Sequence, residues 1–145
     1  MNRKPKIIST ESSSETLMGG QRQVILTSME TAGDVYLVQG IMPEGSEVPK
    51  HVHELEDEIF HVLEGNVELI LGDETLEAQK GDIIYLPRGI AHGIKTKGQK
   101  TAKVLNYVIP GKNFENFFES LNKVGPQISK AERDAIAQKH KISFL

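Results

Sequence analysis

The feature that most constrains this chain is its punctuation. From Val24 to Ala102, short runs rich in Val, Ile, Leu, Tyr and Phe alternate with turn signals: Thr31-Ala32-Gly33-Asp34, Met42-Pro43-Glu44-Gly45, Glu64-Gly65-Asn66, Gly72-Asp73, Lys80-Gly81-Asp82 and Pro87-Arg88-Gly89. Turns every ~8–12 residues between short β-prone runs mark an antiparallel sandwich or barrel. The runs predict strands at Val24–Ser28, Val35–Met42, Glu47–Val52, Glu58–Glu64, Val67–Leu71, Glu74–Gln79, Ile83–Leu86, Ala91–Lys95 and Lys103–Val108. No amphipathic stretch of the ~12 residues that a helix needs falls among them.

The flanks differ in texture. Residues 1–20 contain Ser12-Ser13-Ser14 and Gly19-Gly20, show little periodicity, and read as an arm with one short strand near Ile7 and Ile8. Beyond the strands, Phe114, Phe117, Phe118 and Leu121 fall at i, i+3, i+4, i+7, which predicts a helix capped by Asn113 and ended by Gly125-Pro126. Ser129 and Glu132 form a capping box that opens a second helix through about His140. The expected organisation is an N-terminal arm (1–23), a β barrel (24–110) and a C-terminal helical segment (111–145). The fold class is all-β with two short C-terminal helices.

Composition removes whole classes of function. A chain of 145 residues is one domain's worth. It has no cysteine, so disulfide frameworks, thiolate metal sites and cysteine nucleophiles are excluded. A net charge of −3 is a poor footprint for phosphate-driven nucleic-acid binding. The basic start (Arg3, Lys4, Lys6) is followed by only Ile7 and Ile8 before polar residues, short of a signal peptide's ~7–15-residue apolar stretch. No window approaches the ~18 apolar residues of a membrane span. The expectation is a soluble, cytoplasmic protein with no nucleic-acid or membrane partner.

Three of the five histidines lie in one stretch, His51-Val52-His53-Glu54-Leu55-Glu56-Asp57-Glu58-Ile59-Phe60-His61. In a strand, residues i and i+2 share a face, so His51 and His53 project together. Glu58 is an odd number of positions from both, and a turn at Leu55–Asp57 is needed to bring it back towards them. Two imidazoles and a carboxylate suit a divalent first-row metal. His92, just after the Pro87-Arg88-Gly89 break, is the best candidate for a fourth ligand. Taken alone, such histidines are more often hydrogen-bonded wall residues than ligands.

His61 is out of phase with Glu58 and reads as an outward residue, and His140 reads as a helix-end residue favouring the dipole. Glu54, Glu56 and Asp57 read as a solvated acidic turn, with the alternative that Glu56 or Asp57 replaces Glu58 at a metal. The Phe114/Phe117/Phe118/Leu121 stripe reads as packing on the barrel, with a lid or a dimer contact as alternatives. Tyr36, Phe60, Tyr85 and Tyr107 fall in strands as wall or pocket residues. Arg88 is the basic residue placed to meet an anionic substrate. Exposed edge strands and the β-prone N-terminal segment point to a twofold homodimer.

Two spaced motifs carry a family resemblance. Gly45-x5-His51-x-His53-x4-Glu58-x6-Gly65 and Gly81-x5-Pro87-x-Gly89-x2-His92 resemble the two signature motifs of the cupin superfamily, separated by residues 66–80. The Pro110-Gly111…Phe114-Glu115 segment is similar to the tail of quercetin-dioxygenase-like cupins. The resemblance implies a double-stranded β-helix, or jelly-roll barrel, often dimeric. It also implies a divalent metal (Fe, Mn, Ni, Cu, Co or Zn) held by His51, His53, Glu58 and His92. One departure is Thr96, where the second motif usually ends in Asn.

Three histidines and one glutamate would leave one or two positions open on a five- or six-coordinate metal, and an open position separates a catalytic site from a closed structural one. The implied activities are a dioxygenase acting on a small oxygenated or aromatic compound, with Glu58 accepting a proton, a cupin isomerase, or a non-catalytic small-ligand barrel. A DNA-binding regulator is not expected, because cupins of that kind carry an additional DNA-binding domain and residues 1–23 are too short for one.

Overall fold

A computed structural model describes residues 3–10, 15–17 and 20–145. Its strands are β1 (Glu15–Leu17), β2 (Gly20–Leu26), β3 (Tyr36–Met42), β4 (Glu47–His53), β5 (Asp57–Glu64), β6 (Asn66–Leu71), β7 (Glu74–Gln79), β8 (Ile83–Leu86), β9 (His92–Lys97), β10 (Ala102–Ile109) and β11 (Ile142–Phe144). Helices α1 (Lys112–Val124) and α2 (Lys130–Lys139) lie between β10 and β11. The strands form two antiparallel sheets, ordered β1-β2-β3-β10-β5-β8 and β11-β4-β9-β6-β7. This is the expected jelly roll with its two C-terminal helices.

Alternation along the strands explains how the sheets face each other. On β5, Glu58, Phe60 and Val62 are buried while Asp57, Ile59, His61 and Leu63 are half-exposed. A period of two puts one set inside and the other outside. Met42, Phe60, Val62, Val67, Leu69 and Ile94 belong to a core cluster built from strands alone. A second cluster joins Tyr36, Val38 and Val108 of the barrel to Phe114, Phe117 and Leu121 of α1, Ala137 of α2 and Ile142 of β11.

The helices are seated by close approach. A Cβ on Gly111 would lie 2.3 Å from the Tyr36 backbone nitrogen, so only glycine lets the start of α1 sit against β3. Glu115 fastens the same turn by accepting from the Ser28 hydroxyl at 2.6 Å.

All nine expected strands are present, with ends displaced by a few residues. The largest displacement is in β2, which starts at Gly20, four residues ahead of Val24, and pairs with β3 from Gln21↔Ile41 onward. Two short strands were not anticipated. β1 pairs with β2, and β11 pairs with β4. The strand expected near Ile7 and Ile8 is absent, and Ile7 is exposed. The Ser12-Ser13-Ser14 run and Gly19 of the expected arm lie outside the described residues. Asn113 does not cap α1, whose N-cap is Gly111. Ser129 and Glu132 form the expected capping box.

Candidate metal centre

Both motif turns carry the chain from one sheet to the other. Residues 54–56 lead from β4 to β5, and residues 87–91 lead from β8 to β9. The reversal expected before Glu58 is therefore a crossover, not a hairpin. His51, His53 and His92 hang from one sheet, and Glu58 faces them from the opposite one. All four are buried, and each offers a ligand atom within 4.8 Å of the others. Among the described residues this is the one cluster of His, Asp and Glu with the geometry to hold a metal ion.

A bulge aims His51. Val48 pairs with Ile94 and His51 with His92, so Pro49 and Lys50 together stand opposite Gly93. Proline has no N–H to lose from the ladder, which suits it to a bulge. Gly93 allows the approach, because a Cβ there would lie 3.1 Å from both Lys50 N and Val48 O. The Pro49 carbonyl accepts from His51 Nδ1 at 2.7 Å, leaving Nε2 to point inward.

His53 Nδ1 lies 3.0 Å from Glu56 Oε2, and Asn106 Nδ2 donates to Glu58 Oε1 at 2.9 Å. Glu58 Oε2 then lies 3.3 Å from His53 Nε2 and 2.8 Å from His92 Nε2, yet none of these three buried atoms has a hydrogen bond of acceptable geometry. Burying such atoms without partners costs free energy. Two imidazole nitrogens and a carboxylate oxygen without partners, converging with a third imidazole, fit a divalent cation.

Burial, reinforced by His92 and His53, pushes His51 down to about 3, so it is a neutral imidazole at physiological pH. Burial works to lower His53 too, but the carboxylates of Glu58 and Glu56 outweigh it and raise its pKa. Burial works to raise Glu58, but the charge of His53 and the close contact and charge of His92 hold it well below the usual carboxylate range.

A cavity of about 130 Å³ opens onto His51. Its walls include Val38, Met42, Val48, Phe60, Ile94 and Val104, and Phe114, Phe117 and Phe118 of α1 close one side. The aromatic stripe thus packs on the barrel and covers the cavity at once, and the Phe114 ring stands edge-on to His53 at 4.9 Å.

Other candidates lie elsewhere. Arg88 is exposed and paired with Asp57 at 3.2 Å, so it does not meet the cavity. Tyr85 is exposed and Tyr36 sits in the helix-side cluster, while Phe60 lines the cavity. His61 is half-buried on the outward phase of β5. His140 caps α2, with Nδ1 against the Ile136 carbonyl at 2.9 Å. Thr96 is buried and donates to the Met42 carbonyl at 3.1 Å, a wall contact. Glu56 departs from the expected solvated turn, being 1% exposed behind His53. The acidic run hid it, since no periodicity separates Glu56 from Glu54 and Asp57.

Comparison with known proteins gives consistent results. The cupin domain model matches residues 32–108. An uncharacterized protein of Methanocaldococcus jannaschii is 38% identical over 69 residues, 48% of this chain and 55% of that protein. The quercetin 2,3-dioxygenase of Bacillus subtilis is 25% identical over 118 residues, 81% of this chain but 34% of the enzyme. The chain thus spans well under two thirds of either relative. Among solved structures, a predicted oxalate decarboxylase from Thermotoga maritima superposes with a TM-score of 0.68 at 23% identity, covering 73% of this chain and 99% of that one, a likeness of fold. With the family's model spanning over half of the sequence and both of its motifs folded around one buried cluster, this chain belongs to the cupin domain family.

Proposed function

We propose that this cupin is a metal-dependent enzyme of dioxygenase type, acting on a small oxygenated or aromatic compound, with His51, His53, Glu58 and His92 as the metal ligands. The observation that carries the reading is the buried convergence of His51, His53, Glu58 and His92, each offering a ligand atom within 4.8 Å of the others, with His51 lining a largely apolar cavity. A bound divalent ion would supply Lewis acidity and an open position for an oxygen donor. The chain's residues do the rest. Asn106 fixes the Glu58 carboxylate through Oε1, so that Oε2 faces the three imidazoles. The largely apolar walls favour an apolar ring or short chain.

The cavity's size is restrictive. An apolar cavity of ~150 Å³ holds one benzene ring, and the cavity here is about 130 Å³. The cavity therefore favours single-ring or short-chain enediols and diketones over a three-ring flavonol. Support for the reading comes also from the similarity to quercetin 2,3-dioxygenase.

The test is oxygen uptake by protein loaded in turn with Fe, Mn, Co, Ni, Cu and Zn, offered catechol, an aliphatic β-diketone and a flavonol. Uptake is expected with a redox-active metal and one of the small compounds. It should vanish in His53→Ala, together with most of the bound metal. Tight binding of the small compounds without oxygen uptake under every metal would make the protein a small-ligand barrel instead.

We further propose that the protein works as a homodimer. Sheet register aligns Tyr107, Ile59 and Tyr85 across the outer face of β10, β5 and β8, with the exposed Ile83 beside them, an apolar face suited to a twofold contact. Light scattering should give twice 16.1 kDa; a mass of one chain would refute the dimer.

A further inference from the structure

Among the described residues, one buried carboxylate stands outside the set of four. Glu56 lies in the crossover between β4 and β5, where its neighbours Glu54 and Leu55 are exposed, yet it is itself buried. Burying a carboxylate is costly unless its oxygens find donors. Glu56 has two: His53 Nδ1 stands 3.0 Å from Oε2, and Asn113 Nδ2 donates to Oε1 at 2.5 Å. The same Asn113 amide donates to the His140 carbonyl at 2.7 Å, so one side chain joins α1, the end of α2 and Glu56.

The three histidines are backed unequally. His51 donates through Nδ1 to a backbone carbonyl, and His92 Nδ1 has no hydrogen-bond partner. His53 alone has a carboxylate behind it. A carboxylate that accepts from one ring nitrogen fixes the tautomer, orients the ring and makes the other nitrogen a better donor to a metal.

The segment that supplies Asn113 also grips the strand that carries the histidines. β11 pairs with β4 at Ile142↔His53 and Phe144↔His51, and Glu54 N donates to the Lys141 carbonyl at 3.0 Å. The Phe144 ring lies 5.3 Å from His51.

We infer that Glu56, held in place by Asn113, is a positioning residue that sets His53 for metal binding, and that the C-terminal segment 112–144 is thereby a working part of the metal centre. The inference rests on the metal reading above and adds to it a residue pair outside the signature ligands.

The test compares wild type, Glu56→Ala, Glu56→Gln and Asn113→Ala in full-length protein by three readouts. These are Zn(II) affinity by chelator competition, the electron paramagnetic resonance spectrum of the Cu(II)-loaded protein, and thermal unfolding of the metal-free protein. Glu56→Ala is expected to weaken Zn(II) binding by ~10–100-fold, the loss typical of an outer partner of a ligating histidine. Its copper hyperfine splitting should also shift. Glu56→Gln keeps an acceptor oxygen and should recover part of both. Asn113→Ala, which touches no ligand directly, should move both in the same direction by less.

A role in packing alone would lower the unfolding temperature while leaving the copper spectrum of the folded protein unmoved. If Glu56→Ala does not fold, Asn113→Ala decides by the same readouts. The inference is overturned if Glu56→Ala, or Asn113→Ala where Glu56→Ala does not fold, binds Zn(II) within twofold of wild type with an unaltered copper spectrum. Wild-type protein that takes up neither ion would instead overturn the metal reading itself, and this inference with it.

Discussion

The barrel's two apolar clusters are built by different rules. The first, around Val62, Val67 and Leu69, is made of strand residues alone, alternate positions of β5 and β6 facing across the sandwich. The second, around Tyr36, Val108, Phe117 and Ile142, is assembled from barrel strands, both helices and the last strand, elements far apart in sequence. The cavity lies between them and borrows walls from both, Phe60 and Ile94 from one and Phe114 and Phe117 from the other. One cluster therefore makes the container, and the other determines how it closes and how tightly the histidine strand is held.

The comparison breaks first at Phe117. It is 2% exposed, and Phe117→Ala should cost about 3–5 kcal/mol. Amide exchange should rise in α1, α2 and β11 well before it rises in β6, and metal affinity should fall with it. Equal loss of protection at Val67 and Leu69 would mean that the clusters are one cooperative unit.

Acid comes next, at the boundary between the clusters. The folded pKa of His51, about 3, lies below its ordinary value of 6.5. The unfolded chain thus binds a proton that the folded chain refuses. The stability due to His51 is complete above pH 6.5 and is lost as pH falls towards 3, on the order of 3–5 kcal/mol at the low end. His53 works the other way, since its raised pKa adds stability at low pH that fades as pH rises through the folded value. Denaturant melts of metal-free protein at pH 7, 6, 5 and 4 should show net loss. A flat profile would mean that His53 cancels His51. Metal loading should release protons, seen as buffer-dependent heats in calorimetry.

Val62→Ala, in the strand-built cluster, should cost about 2 kcal/mol. At matched destabilisation it should disturb metal affinity less than Phe117→Ala does. The smallest effect belongs to the surface. Arg88→Ala removes the exposed pair with Asp57 and should leave the unfolding temperature and metal binding at their wild-type values.

This asymmetry also explains what could be read in advance. The strands of the first cluster were legible because period-two alternation and turn residues are local signals. His51 and His53 shared a face for the same reason, and motif spacing brought in Glu58 and His92. β11 was not legible, because Ile142-Ser143-Phe144 is too short to show a period and becomes a strand only when β4 offers it an edge. Asn113 looks like a cap in sequence, but Gly111 begins the helix earlier and frees the amide for Glu56. Glu56 itself is indistinguishable from its acidic neighbours until the crossover folds it inward.

That crossover has a mechanical consequence. Because the imidazoles descend from one sheet and the carboxylate rises from the other, an ion among them would act as a rivet through the sandwich. Its grip would gauge the spacing of the two sheets, and anything that pried them apart by an ångström would register first as a loosened rivet.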